Sequence, residues 1–528
     1  MSDSMNTIDG LLRSAALERN NEVALADAPN RADFFEGNSQ QWTWSEVNSI
    51  VQSLATQLHN RGVRAGSSIG IQLPNVCELV FTILACIRIG AVAVPFPIQH
   101  RNHELRSGLS SAQIQLFVTA NRSDRTDQVK TVAALLAEFE NIKLATFGAD
   151  AGEANLHLTP EPAEDKAYDH ASSDDIATIC WTSGTTGVPK GVPRTHSMWL
   201  ASSRVQVDEL AISSSDNILC PFPVVNMAGI GGMLMPWLTV GASLFLHQPL
   251  DLTVFLKQIE TERITYTVAP PPLLNMLLRN EELLNSVDLS SIRVISSGSA
   301  PLDPWMVKGW QDRNIEIVNV FGSNEGAALL STMRSVPDPE ERARFFPQPN
   351  RQGISIRIVD FDTEQEIAES GRPGELRFAG PTVFSGYLQS SGDEFDTNGY
   401  YKTGDIFQWA DTNTSSRLLQ FVDRAKDIII RGGMNISAAE VESLIASHQD
   451  VLECAVVSFP DPDLGEKVGV FVVPIKGTSP RLPELVDFLK SLEIASYKLP
   501  ERLEIVDALP RNAVGKVTKS DLREMWRT

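Results

Sequence analysis

Apolar residues recur along the first third of the chain with two periods. From Ser45 to Arg61 they fall at Val47, Ile50, Val51, Leu54 and Leu58, a spacing near 3.6 that places them on one helix face. Ser68 to Leu73 reads as a strand, Leu79 to Ile89 as a helix, and Ala91 to Val94 as a strand. Such alternation predicts parallel sheets covered by helices. It resumes with a strand over Thr265–Val268, a helix over Pro272–Leu278, and strands over Ile292–Ser296 and Ile315–Val320.

The texture changes near Gly353. Ile354–Val359, Gly374–Phe378 and Leu418–Val422 are short β-rich runs separated by Gly, Pro, Asp and Asn, the pattern of an antiparallel or β-barrel-like subdomain. After Asp423 come a helix over Ala438–Ser447, strands over Val451–Ser458 and Gly469–Pro474, and a helix over Leu482–Leu492. That tail is long enough for a small domain of its own. The fold class is α/β: a large N-terminal domain, 1–422, of parallel sheets flanked by helices plus the β-barrel-like subdomain, then a small α+β C-terminal domain, 423–528.

Composition narrows the function classes. A chain of 528 residues exceeds what one hydrophobic core supports, in line with two domains. A net charge of -21 argues against sequence-independent nucleic-acid binding, although one local basic loop still holds a phosphate against the global sign. The five cysteines are scattered without C-x-x-C spacing, which argues against a disulfide framework or zinc site and for a reducing, cytoplasmic setting. The greasiest stretch, Cys77–Pro97, is interrupted by Glu78, Arg88 and Gly90 and reads as a buried helix and strand, not a membrane span. Met1–Gly10 has no signal-peptide pattern.

The strongest chemical signal is Thr182-Ser183-Gly184-Thr185-Thr186-Gly187-Val188-Pro189-Lys190-Gly191, following a strand-like run over Ile176–Trp181. Its glycines let backbone N–H groups approach a phosphate, its hydroxyls donate to phosphate oxygens, and Lys190 adds a point charge. Pro189 stands where a Walker A loop needs its second glycine, so this is a different phosphate loop.

The string resembles the phosphate loop of the adenylate-forming superfamily, which includes acyl-CoA synthetases, peptide-synthetase adenylation domains and beetle luciferases. Further blocks resemble that superfamily in its order. They are Leu73-Pro74-Asn75 with Glu78, Gly298-Ser299-Ala300-Pro301, Asn319-Val320-Phe321-Gly322-Ser323-Asn324-Glu325, Gly374-Glu375-Leu376 with Gly386-Tyr387, and Tyr401-Lys402-Thr403-Gly404-Asp405. Asp423-Arg424-Ala425-Lys426-Asp427 with Gly432-Gly433, and Pro510-Arg511-Asn512-Ala513-Val514-Gly515-Lys516, complete the series.

The resemblance implies an AMP-forming acid–CoA ligase that uses ATP, Mg2+ and coenzyme A on a small-molecule carboxylic acid, as a monomer or homodimer. Attack of a carboxylate on the α-phosphate brings two anions together, so the site must neutralise charge. By resemblance, Glu325 holds Mg2+, Thr182 to Gly187 and Asn324 hold phosphates, Asp405 takes the ribose hydroxyls, and Arg424 supports the ribose or phosphate. Gly298, Ser299 and Ala300 form the adenine-side loop; Phe321 and Gly322 flank the base, with Phe321 stacked on it and Asn319 at its exocyclic amine. Lys516 bridges the acid and the α-phosphate. The C-terminal domain is mobile in this family: it swings about Lys426 after adenylation, withdraws Lys516 and brings Gly432 and Gly433 to a tunnel for the pantetheine thiol.

Several positions depart from the commonest pattern. Asn324 replaces Thr and is expected to donate to a phosphate oxygen still. Phe321 replaces Tyr, and Ala438 replaces a helix-opening Pro. Asn226 stands where many relatives carry His or an aromatic beside the acyl pocket; it is an altered gate, a partner for a polar acid, or a residue turned to the backbone. Val225, Met227, Gly229 and Ser297 join Asn226 as the expected pocket lining, with His196 and Trp199 near it. Mostly apolar or small neighbours point to a hydrophobic acid, medium-chain, alicyclic or aromatic. Rival readings are an acyl-AMP ligase or an amino-acid adenylation enzyme that loads a carrier protein, a nucleotide-binding regulator without turnover, and a luciferase-like oxygenase. No Asp lies between Pro221 and Thr239 to bind an amino acid's ammonium, and no obvious insertion precedes the hinge.

Overall fold

The computed structural model describes residues 6–121, 128–148, 154–160, 168, 171–182, 190–351, 353–390, 392–410, 417–431, 434–492, 494, 496–512 and 516–526. Among them, two large sheets form the body of the N-terminal domain. One runs Lys143–Phe147, Ile114–Ala120, Ser68–Gln72, Val92–Pro95, Ile176–Thr182, Lys190–Thr195, parallel up to the last pair, which is an antiparallel hairpin. The other has eight strands, with Glu316–Gly322, Val294–Gly298, Tyr266–Val268, Asn217–Cys220 and Ser243–Leu246 as consecutive neighbours at its centre.

Helices between the sheets form where the periodicity predicts them. Trp44–Asn60 opens with a capping box of Thr43 and Glu46 and buries Val47, Ile50, Val51, Leu54 and Leu58. Each such buried aliphatic side chain contributes roughly 1.5–3 kcal/mol. Cys77–Ile89 is buried on every side and stops at Gly90, whose φ of 79° is the left-handed conformation a helix end favours. A helix buried all round has no solvent for its one early carboxylate, and Glu78 is met by Arg31, which also pairs with Asp27 at 2.7 Å. Burial pushes the thiols of Cys180 and Cys220 up to about 12, so both are inert core residues.

The β-rich segment is a five-stranded antiparallel sheet, ordered Phe345–Pro347, Leu418–Arg424, Tyr401–Trp409, Gly374–Ala379, Ser355–Val359. Its last strand carries Asp423 and Arg424 before the short turn Ala425–Asp427 leads into the C-terminal sheet. There Val451–Asp461 and Gly465–Pro474 form a long hairpin covered by Ala438–Ala446 and Leu482–Ser491. Ser437 caps Ala438–Ala446 by accepting from Glu440 N, so the helix opens without the missing proline. Among the described residues, no helix is long and apolar enough to cross a membrane.

Candidate active site

The hairpin that carries the phosphate loop holds both ends of that loop together, with Thr182 opposite Lys190. Ser183, Gly184, Thr185, Thr186 and Gly187 lie outside the described residues. Lys190 Nζ sits 4.6 Å from the centroid of the Tyr387 ring, a cation–π contact. The hydroxyl of that tyrosine donates to Glu325 Oε1 at 2.8 Å. Tyr387 therefore joins the loop lysine to the expected metal ligand, a role that its place in the Gly386-Tyr387 block does not announce.

Beside this hairpin, Glu316–Gly322 pairs with Val294–Gly298, setting Gly298 against Val320. A side chain on Gly298 would place its Cβ 2.0 Å from Val320 O, so only glycine allows that approach. Ser299 follows with φ of 68° and turns the chain outward, which leaves Ser299 and Ala300 exposed. Asn319 donates from Nδ2 to the carbonyls of Arg342 and Ala343 at 3.1 and 2.9 Å, which orients Oδ1 as the acceptor an exocyclic amine requires. Phe321 is half-buried, edge-on to Phe407 at 5.0 Å, and Gly322 after it is exposed.

Asn324 also makes contacts within the protein. Its amide is engaged by protein: Nδ2 donates to Trp181 O at 2.9 Å and Oδ1 accepts from Met227 N at 2.8 Å. The side chain thus bridges two backbone segments through Oδ1 and one of its two Nδ2 hydrogens. Arg194 lies beneath, fully buried, donating to the carbonyls of Asn324 and Thr382 at 3.0 and 2.8 Å and to Ser202 Oγ at 2.9 Å. Burial pulls its guanidinium down to about 10, against the charge of Glu325. Sequence reasoning missed Arg194, because a cation held by carbonyls leaves no paired acid to find.

Asp405 and Arg424 are cross-strand partners whose side chains meet at 3.2 Å. The turn before Asp405 is fixed by buried groups: Gly404 N donates to Glu375 Oε1 at 3.2 Å, and Arg377 holds the other oxygen of Glu375 at 3.0 Å. Burial pushes the Asp405 carboxyl up, while Arg424 and Lys516 pull it down. Lys516 is half-buried in the same space. Burial and then Arg424 push its ammonium below the ordinary lysine range, and Asp405 and Glu325 act against them. Its backbone is held by Asn512, which accepts from Lys516 N at 2.9 Å and donates to Lys516 O at 2.8 Å.

Lys426 occupies the turn Ala425–Asp427, and burial, then Arg424, lowers its pKa. Arg523 in the last helix, Lys519–Met525, pairs with Asp427 at 2.6 Å, tying the turn to the segment that follows Lys516. Asp423 reaches across the junction and accepts from Ser437 Oγ and Ala439 N at 2.9 and 3.0 Å. Gly432 and Gly433 lie outside the described residues.

The expected acyl-pocket residues cluster on a π-helix, Met227–Leu234, and the segment before it. Asn75 fixes that segment, donating to Phe222 O at 2.7 Å and accepting from Val224 N at 2.9 Å. Val225 is buried, and Gly229 packs so closely that a Cβ would lie 2.2 Å from Pro223 O. Asn226 faces the backbone, the last of its three alternatives: Oδ1 accepts from Ala228 N and Gly229 N. Ser297 Oγ donates to Ala269 O at 2.8 Å. Trp199 lies under this helix, against Gly231 and Arg194. His196 is buried, and its Nδ1 accepts from Ile8 N at the first helix.

Among the described residues, no group of three or more His, Cys, Asp or Glu is placed to hold a metal. A lone buried carboxylate fits an ion that arrives with a polyphosphate, since magnesium keeps waters and takes only one or two protein oxygens. Lys516, Arg424 and Lys426 gathered against Asp405 and Glu325 leave the site biased toward an anion.

The chain matches the family described as AMP-binding enzyme over residues 12–388, and the AMP-binding enzyme C-terminal domain over residues 440–516. It is 29% identical over 508 residues to the medium-chain fatty-acid–CoA ligase of Escherichia coli, covering 94% of this chain and 88% of that one. It is 28% identical to enterobactin synthase component E of the same species, covering 92% and 90%. The crystal structure of ATP-bound MatB from Rhodopseudomonas palustris superposes with a TM-score of 0.83 at 25% identity, covering 99% of each chain.

Proposed function

The chain belongs to the AMP-binding enzyme family, and from that premise we propose that it is an AMP-forming acid–CoA ligase acting on a hydrophobic acid. The observation that carries the reading is that Lys516 lies within electrostatic reach of Asp405, Arg424 and Glu325, on a segment whose backbone is pinned by Asn512. In the first half-reaction a carboxylate oxygen attacks the α-phosphorus of ATP, the acyl–phosphate bond forms and pyrophosphate leaves. Lys516 holds the two anions together and balances the charge that develops on the phosphorus oxygens. Asp405 takes the ribose hydroxyls, Asn319 and Phe321 the base, and Lys190 with the loop Thr182–Gly187 the outer phosphates. Glu325 would hold Mg2+, which would supply further charge neutralisation.

In the second half-reaction the thiol sulfur of coenzyme A attacks the acyl carbon and AMP leaves. Rotation about Lys426 takes Lys516 out and brings Gly432 and Gly433 in to line the thiol's path. Likeness to a fatty-acid–CoA ligase supports CoA as acceptor. The apolar side chains of Val225, Met227, Ile230 and Met233 support a medium-chain, alicyclic or aromatic acid. A carrier-protein acceptor is the second reading, since the chain is similarly identical to enterobactin synthase component E, whose name does not make it a CoA ligase. The test is to follow AMP and pyrophosphate across a panel of acids with and without CoA. CoA-dependent AMP release with one class supports the ligase; pyrophosphate release indifferent to CoA moves the acceptor to a carrier protein.

A further inference from the structure

The two asparagines that depart from the family pattern meet at one helix end. The first N–H groups of a helix have no partner within it. In the π-helix Met227–Leu234, Asn324 Oδ1 accepts from Met227 N at 2.8 Å, and Asn226 Oδ1 accepts from Ala228 N at 3.0 Å and Gly229 N at 3.3 Å. Ile230 N donates to Asn226 O at 2.8 Å. The first turn is thus closed by protein, and it offers these four N–H groups to no ligand.

Asn324 also reaches the other half of the site. Its Nδ2 donates to Trp181 O at 2.9 Å, one residue before Thr182 and the phosphate loop. Its own carbonyl is held by Arg194 Nη1 at 3.0 Å, so the side chain projects from a fixed backbone. Gly326 makes this possible: a Cβ there would lie 2.6 Å from Arg194 Nη1. Threonine has a single hydroxyl one bond nearer the backbone, without separate donor and acceptor atoms to span the same gap.

We propose that Asn226 and Asn324 act as one positioning device, a clamp that fixes the first turn of the acyl-pocket helix to the strand opening the phosphate loop and so couples the acid and nucleotide halves of the site. Neither asparagine need touch the reacting atoms; both act through the placement of Met227 to Gly229. The inference rests on the adenylation reading above.

The clamp is tested on the full chain by amide hydrogen exchange and by acid-dependent pyrophosphate exchange. Asn324→Ala is expected to speed exchange over residues 227–229 and to raise the acid KM about tenfold, with the ATP KM changed less than about threefold. Asn226→Ala is expected to do the same, whereas Asn226→Asp, which keeps the acceptor, retains protection. Because one device is broken once, the double alanine variant is expected within about threefold of the worse single. Unchanged exchange over 227–229, or a double variant equal to the product of the singles, overturns the clamp. The exchange readout needs no turnover: a chain that forms no pyrophosphate with any acid refutes the adenylation reading, and exchange alone then decides the clamp.

Discussion

The hydroxyl of Tyr387 donates to Glu325 Oε1 at 2.8 Å while the ring of the same residue faces Lys190 Nζ at 4.6 Å. One side chain thereby links the cation proposed for phosphate to the carboxylate proposed for metal. Burial and the charge of Glu325 both push the phenol up, so it stays a donor through the neutral range. Tyr387→Phe keeps the ring and loses the hydrogen bond to the charged acceptor Glu325, along with a longer contact to the Tyr401 hydroxyl. Such bonds are worth roughly 1.5–3 kcal/mol, so kcat/KM for ATP is expected to fall at least about tenfold. Steady-state kinetics at several Mg2+ concentrations check this.

Burial and Arg424 push Lys516 below the ordinary lysine range. Adenylation needs its ammonium, so the half-reaction is expected to be lost as pH rises through that lowered value, earlier than an unperturbed lysine near 10.5 would dictate. A pH profile of kcat/KM for pyrophosphate exchange reads this, because that parameter reports the free enzyme. Lys516→Arg is expected to remove the alkaline limb along with most of the rate, since a guanidinium stays charged but is planar and larger.

Much of this was legible before any coordinates, for identifiable reasons. The helix Trp44–Asn60 follows from its apolar spacing and its Thr43–Glu46 cap, both local signals. Asp405 and Arg424 are far apart in sequence and meet as cross-strand neighbours, yet each sits in a block that the resemblance supplies. What stayed hidden depends on packing. Arg194 is held through its Nη atoms by carbonyls from distant turns, and Glu375 acts through the N–H of Gly404. The π-helix Met227–Leu234 is glycine-rich and carries no helical period, and nothing in the order of residues tells that Asn226 turns back to cap it. His196 adjoins the phosphate-loop hairpin in sequence, but its Nδ1 is engaged by the first helix, 188 residues earlier in the chain.

Buried His196 accepts from Ile8 N and is therefore neutral at that nitrogen; burial pushes its pKa down to about 4. The unfolded chain binds a proton near pH 6.5 and the folded chain does not until about pH 4. Stability is thus full above pH 6.5 and is lost as pH falls toward 4, by about 3 kcal/mol from this one residue. Asn keeps an acceptor and does not titrate. His196→Asn is expected to flatten that acid limb in denaturant titrations at pH 7, 6 and 5, even if it costs stability at neutral pH.

Gly326 has φ of 97°, and a Cβ there would lie 1.8 Å from Thr382 O. Gly326→Ala must move the turn next to Glu325 or the turn that holds Arg194. Strain at such a position costs of order 1–3 kcal/mol, and the clash adds to it. A lowered melting temperature with loss of adenylation is the expected result. Wild-type melting and turnover in the alanine variant would show that this turn does not need glycine.

In the proposed chemistry Lys516 serves the first half-reaction alone. The decisive measurement compares Lys516→Ala with the unsubstituted protein in two assays, acid-dependent pyrophosphate exchange and thioester formation from supplied acyl-adenylate and CoA. The account predicts that the variant loses exchange by at least about a thousandfold, the scale of a lost transition-state charge contact, while transfer from acyl-adenylate stays within about tenfold. Exchange within a few-fold of the unsubstituted protein would contradict it and remove Lys516 from the adenylation chemistry.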